Sequence, residues 1–229
     1  VPFAVCIALF LTQYAPSWLA KPGAALIDLL AAVPSIVYGL WGLFTVGPLF
    51  QPVQDVITSV LGWFPLFSET QTSAGSTIFF VSVILAIMIL PIMTAVNREV
   101  FLQTPRLHEE ASLALGATRW EMIRQAVIPF GRSGVVSGAM LGLGRALGET
   151  MAVAIILSAS GGGFSWELLT SNTPGTIAGD IALQFAEASP GVPRSTLFVS
   201  GLTLFALTLA VNMLARWIIA RRSEFSGAN

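Results

Sequence analysis

Arg145 and Glu149 stand four residues apart in a stretch, Ser133 to Trp166, that carries no other charge. An arginine presents its N–H donors in a planar fork that can meet an oxyanion through two parallel hydrogen bonds. A carboxylate beside it can hold the fork and keep an anion from being trapped, since a pathway must bind weakly enough to release. Among apolar residues, this is chemistry for meeting an anion rather than for breaking bonds. The energetics demand a particular setting. Arginine at the centre of a membrane-spanning helix costs about 2.5 to 3.5 kcal/mol on insertion scales. An i, i+4 ion pair on a helix surface returns only about 0.2 to 0.5 kcal/mol, and arginine ahead of glutamate is the weaker order. The pair alone cannot offset its burial, so Arg145 and Glu149 are expected to face a water-lined cavity or a partner subunit. A structural salt bridge between helices is the alternative use.

Other chemistries lack their constellations. Ser158-Ala159-Ser160-Gly161 has only a faint likeness to a serine-protease motif, and the sole histidine, His108, falls on the opposite side of the expected membrane, so no dyad can form. Cys6 is the only cysteine, which rules out an internal disulfide. Metal-ligand clusters and basic nucleic-acid patches are absent from the sequence, and no cofactor is implied. A proton-coupled carrier or channel could use the arginine and glutamate as a relay, but it would have no need for the polar segment described below.

The elements that must position the pair are membrane spans. Hydrophobic residues make up 55% of the 229 and charged residues 10%, mean hydropathy is +0.80, and soluble domains carry about 25% charged residues. A helix crosses about 30 Å of hydrocarbon with roughly 20 apolar residues. Charge-free runs of that size are Val1 to Ala20, Leu29 to Gln54, Thr70 to Asn97 and Ser195 to Ala215, and Ser133 to Trp166 is interrupted only by the pair, which gives about five crossings. Arg98, Arg106, Arg119, Arg124 and Arg132 lie between the third and fourth spans, and Arg216, Arg221 and Arg222 follow the last. Excess lysine and arginine mark the cytoplasmic side. The loops 51–76 and 160–194, with Asp55, Glu69, Glu167, Asp180 and Glu187 against Arg194, then face outward, and Lys21 falls inside. The chain opens at Val1 with a span short at the front. It is expected to lack an N-terminal crossing, and no signal-peptide pattern is visible.

Proline and glycine punctuate the spans. Pro34 and Pro91 should kink their helices. Gly138, Gly142, Gly144 and Gly148 form interleaved small-xxx-small pairs that let another helix approach closely. Beyond Pro174, the helical spacing of Ile177, Ile181 and Phe185 suggests an amphipathic helix at the interface.

The segment 98–132 has its own local grammar. Thr104 and Pro105 fit an N-cap followed by a first-turn proline. Leu107, Ala111, Ala114 and Leu115 recur on one face, and Gly116 is a natural stop. Thr118 and Glu121 have capping-box spacing for a second helix whose apolar side carries Met122, Ile123, Ala126 and Val127 before Pro129. The result is a helical hairpin projecting below the membrane. An amphipathic connector lying on the bilayer surface is the plainer reading.

Glu110-Ala111-Ser112, then Gly116, then Ile128-Pro129 resembles the EAA loop of ABC importer permeases, with Ser112, Ala126 and Ile128 standing where that pattern has alanine, isoleucine and leucine. The resemblance implies an all-α transmembrane, MetI-like permease bundle forming a single domain over 1–229. It makes 98–132 the coupling loop that enters a groove on a separate ATPase, with Glu110, Ala111, Gly116 and Pro129 at that contact. The chain would then hydrolyse no ATP itself, in keeping with its lack of a Gly-x-x-x-x-Gly-Lys-[Ser/Thr] loop. Val33 to Gly42 and Gly144 to Ala152 look like the phosphate-specific importer permeases, the Tyr-Gly-Leu-Trp-Gly wording favouring the PstC type over its PstA-type partner. What this implies is a prokaryotic cytoplasmic-membrane protein surrounded by lipid. Its partners would be a homologous PstA-like permease subunit, a PstB-like ATPase dimer and a PstS-like extracytoplasmic phosphate-binding protein. Arg145 and Glu149 would lie on the phosphate path. Permeases for molybdate or sulfate share the superfamily.

Overall fold

The structure, a computed structural model, describes residues 1–67, 77–157, 168 and 176–223. Among them every regular element is helical. Helix α1 (Pro2–Leu9) continues into a wide π-type turn, Phe10–Tyr14. Ala15 precedes a proline, whose ring disfavours helical geometry in the residue before it, and is extended (φ −67°, ψ 133°). Helix α2 (Ser17–Ala31) starts afresh after Pro16. Helices α3 (Ser35–Trp41) and α4 (Gly47–Leu61) join through a second π turn, Gly42–Val46. Helix α5 (Ile78–Leu102) is followed by α6 (Arg106–Ala114) and α7 (Arg119–Met122). A third π turn, Ile123–Val127, carries α7 into α8 (Ile128–Leu147). Helices α9 (Met151–Ile156), α10 (Ile177–Gln184) and α11 (Val192–Ser223) complete the order.

Four of the described helices are long and apolar enough to cross a membrane: Ser35–Leu61, Ile78–Leu102, Arg119–Leu147 and Val192–Trp217, with a shorter apolar helix at Pro2–Tyr14. The differences from the sequence expectation have local causes. The run from Val1 is cut at Pro16. The run from Leu29 is interrupted at Pro34, which breaks the chain rather than kinking it: its extended backbone (φ −59°, ψ 139°) stands at the head of α3. Pro91, by contrast, lies inside an unbroken α5. The expected span Ser133 to Trp166 instead begins at Arg119 and ends at Leu147. Pro129 has no N–H to donate, yet the helix passes through it. The wide turn just before Pro129 relaxes the ladder at the point where a bond is missing.

Two compact units are distinguished: Val1–Ala32, Ile89–Ala146 and Ala210–Asn229 in the first, Val33–Met88 and Leu147–Leu209 in the second, each as far as described. The first unit has a core of Ala8, Leu9, Phe101, Met122, Ile123 and Val127, with Val5, Ile128 and Val135 packed against it. It also has a seam of glycine. A Cβ added at Gly131 would come within 2.6 Å of the Phe101 ring, one at Gly134 would strike Val100, one at Gly138 would stand 3.1 Å from Asn97 Oδ1, and one at Gly142 2.5 Å from Ile89 Cγ2. These positions share one face of α8 and let α5 lie against its backbone. The seam includes Gly138 and Gly142, as the small-residue pattern suggested, but continues through Gly134 and Gly131. Gly144 has open space around it.

In the second unit Gly39 does the same for α3 and Gly42 for the π turn that follows it. A Cβ at Gly39 would sit 2.9 Å from the Ala152 Cα, and one at Gly42 3.1 Å from Ile84. The glycines of Tyr-Gly-Leu-Trp-Gly are thus packing residues that admit α9 and α5. Phe50 stacks on Phe79 at 5.9 Å and meets Phe80 at 5.2 Å. Helix α10 begins with Thr176, whose hydroxyl accepts the Gly179 N–H. Phe185, just past its end, packs edge-on to Phe198 at 5.7 Å. The apolar spacing of Ile177, Ile181 and Phe185 anticipated this helix, while Pro174 lies outside the described residues.

Candidate functional site

The hairpin α6–α7 is closed by local chemistry at both sides of its turn. At the end of α6 the Gly116 N–H donates to the Leu113 carbonyl and the Ala117 N–H to the Ser112 carbonyl. This is the paired Schellman pattern that satisfies the last carbonyls of a helix. It requires a left-handed residue, and Gly116 has φ 86°. Two residues later Thr118 opens α7 with a capping box: Thr118 Oγ1 accepts the Glu121 N–H, and Glu121 Oε2 accepts the Thr118 N–H at 2.7 Å. The sequence expectation holds at Gly116, Thr118 and Glu121. It shifts by one residue at the front, where Pro105 rather than Thr104 occupies the cap position of α6 and the Thr104 hydroxyl is buried without a partner among the described residues.

The two helices of the hairpin face different ways. On α7 and its π turn, Met122, Ile123 and Val127 are buried in the first unit's core. On α6, Glu110, Ala111, Ala114 and Leu115 are exposed, and Leu107 and Leu115 keep 76% and 89% of their surface. The sequence places these apolar residues on one face, and the structure leaves that face open. Pro129 is also exposed, at the second position of α8. Glu110, Ala111 and Gly116 therefore lie together on the outward part of the hairpin, and Pro129 lies beyond the buried π turn.

Arg145 and Glu149 are not on one helix. Helix α8 ends at Leu147, Gly148 and Glu149 are non-helical, and α9 starts at Met151. The i, i+4 geometry expected from the sequence does not apply to them. The break has a physical origin: Gly148 is a poor helix former, and Glu149 turns its carboxylate to the first turn of α9, where Oε1 accepts the Ala152 N–H at 3.1 Å. That satisfies one of the N–H groups a helix start leaves unpaired. Glu149 is buried. Arg145 is half-buried in the last turn of α8, and its Nε is buried with no hydrogen-bond partner among the described residues. The division between the compact units falls between Ala146 and Leu147, so Arg145 belongs to the first and Glu149 to the second. In the second unit a cavity of about 10 Å³ is bounded by Val153, Leu157, Thr176 and Asp180, room for a water rather than an oxyanion.

Several polar contacts escaped the sequence reading. Arg98 pairs with Asp28 at 3.4 Å. Gln54 Nε2 donates to Thr77 Oγ1 at 2.9 Å, and Asn97 is fully buried beside Gly138 with neither amide atom partnered among the described residues. Gln54 and Asn97 closed two of the charge-free runs, and an amide at such a place is itself a signal.

The profile of the family described as binding-protein-dependent transport system inner membrane component matches residues 4–224. The phosphate transport system permease protein PstC 2 of Mycobacterium tuberculosis is 49% identical over 220 residues, 95% of this chain and 67% of that protein. The PstC of Mycobacterium leprae is 49% identical over 224 residues, 97% and 70% of the two chains. The PstC of Haemophilus influenzae is 44% identical over 234 residues, 99% and 72%. Among solved structures, the MetNI methionine ABC transporter in inward-facing conformations superposes with a TM-score of 0.61 at 16% identity, covering 95% of this chain and 85% of its own. That likeness speaks for the fold alone. On the family profile, the α6–α7 hairpin and the apolar helices together, the chain belongs to the family of binding-protein-dependent transport system inner membrane components.

Proposed function

We propose that the chain is the phosphate-conducting permease subunit of an ATP-driven importer in the cytoplasmic membrane of a prokaryote. It forms one half of a pore with a homologous PstA-like subunit. It receives inorganic phosphate from a PstS-like binding protein outside and is driven by a PstB-like ATPase dimer inside, with no ATP site of its own. The observation that carries this reading is the hairpin: a helix with its apolar face bare, held at a fixed angle by a Schellman turn and a capping box. A short helix leaves Leu107 and Leu115 open to water only at a cost, which a protein groove covering that face would remove. The relatives named for phosphate transport give the cargo. Arg145, with an unpartnered Nε, supplies the fork that guides the anion, and Glu149 shapes the chain beside it.

Gly116→Asp tests the docking role. It forces a side chain into the left-handed region, at about 1 to 2 kcal/mol, and adds an anion to the turn. Phosphate uptake should fall and ATPase co-purification weaken while the permease still inserts. Unchanged stimulation of the ATPase by loaded binding protein would refute it. Competition of labelled phosphate uptake by molybdate and sulfate decides the cargo.

A further inference from the structure

The π turn that ends α1 reaches both helices of the hairpin. Gln13 Nε2 donates to Glu109 Oε1 on α6 at 3.2 Å. The next residue, Tyr14, lies under the Arg119 guanidinium at the head of α7, 5.3 Å from the ring centre. One turn earlier, Ala8 and Leu9 pack into the core with Met122, Ile123 and Val127. Two consecutive side chains thus take hold of the two arms of the hairpin, and the apolar side of the same helix is wedged behind them. All of these residues belong to the first unit. A hairpin anchored by its own backbone only at 102–105 and 123–128 could swing on those two ends. The contacts at Gln13 and Tyr14 remove that freedom.

We propose that Gln13 and Tyr14 are positioning residues that clasp the hairpin to α1, so that the two move as one body and a push on α6 reaches the membrane part of the chain through α1 as well as through α5 and α8. This rests on α6 being the face that meets the ATPase. The clasp is polar and partly exposed: it fixes orientation while the buried core beneath it holds the fold together. Breaking it should therefore loosen transmission rather than assembly.

The test uses the assembled importer in proteoliposomes, with phosphate uptake and ATP hydrolysis measured on the same preparation. Gln13→Leu combined with Tyr14→Leu removes a hydrogen bond to a carboxylate and a cation–π contact. ATPase co-purification and basal hydrolysis should stay near the parent level, while phosphate moved per ATP falls about fivefold. If the clasp is only structural, the yield of assembled importer drops and phosphate per ATP is unchanged, which overturns the proposal. A second arm replaces Gln13 and Glu109 by cysteine in a Cys6→Ala background and joins them with a short thiol-reactive crosslinker. Joining should restore the phosphate moved per ATP that the unjoined double-cysteine importer loses with the Gln13–Glu109 hydrogen bond; arrest on crosslinking would overturn the single-body reading even if the double variant failed to assemble. The docking reading fails separately, through Gly116→Asp leaving ATPase stimulation intact.

Discussion

The glycine seam between α5 and α8 permits a quantitative test. An alanine Cβ at Gly134 would lie 2.5 Å from Val100 Cγ1 and 2.8 Å from Val100 Cβ. Real Cβ atoms do not come so close, so something must shift. Val100 is β-branched and held to essentially one rotamer in a helix, so its side chain cannot swing aside. The helices have to separate instead, with Phe101 and Val96, which meet Gly131 and Gly138, drawn along. Overpacking of this kind costs about 1 to 3 kcal/mol. Gly144→Ala is the matched control on the same helix: nothing lies within 4 Å of its Cβ, and alanine gains about 0.5 to 1 kcal/mol of helix propensity over glycine. Gly134→Ala gains that propensity too, so at roughly 2 to 4 °C per kcal/mol for a chain of this size it should melt about 2 to 12 °C below Gly144→Ala, which should itself melt slightly above the parent. Thermal unfolding of the purified permease in one detergent, at one scan rate, measures both. Equal melting temperatures for the two variants would refute the close α5–α8 approach.

Other outcomes follow from the same geometry. Arg145→Gln should abolish phosphate uptake with the importer still assembled, and Arg145→Lys should rescue it poorly because a point charge lacks the fork; normal uptake by Arg145→Gln would remove this residue from the pathway. Glu149→Gln keeps an oxygen that can accept the Ala152 N–H, whereas Glu149→Leu loses that bond at about 1 kcal/mol. Stability should thus separate the two variants even where transport does not, and equal melting would refute the capping role. Gly39→Val places a side chain against the Ala152 backbone, 2.9 Å from its Cα, which no rotamer change relieves, and should lower the yield of folded protein more than Gly144→Val.

What the sequence revealed was what is local. The stop at Gly116 and the box of Thr118 and Glu121 are written in residues three to five positions apart, and they fold as their spacing says. Hydropathy found the apolar runs, four of which hold helices long enough to cross a membrane, but not where those helices begin and end, because Pro16, Pro34 and the Glu149 cap act through backbone geometry that an apolar average passes over. That is also why Arg145 and Glu149 read as one helical pair. The glycine pattern was visible, yet which glycines matter depends on where α5 lies, and this turned out to be Gly131, Gly134, Gly138 and Gly142 rather than Gly144. Gln13 and Glu109 are 96 residues apart, and nothing in either neighbourhood announces the other.

The wide turn at Ile123–Val127 sets the phase between the hairpin and the glycine seam. Each residue of a regular helix advances the side chains by about 100°, so the one additional residue in this turn turns α7 by about that angle relative to α8. Inserting one further residue there, next to Gln125 for instance, would leave the caps and every glycine in place and would still yield a good helix. It would also rotate Met122 and Ile123 out of the core that holds Leu9 and Phe101. Loops tolerate changes of length, and this connection looks like a continuous rod, but its residue count is as strict as the tooth count of a gear.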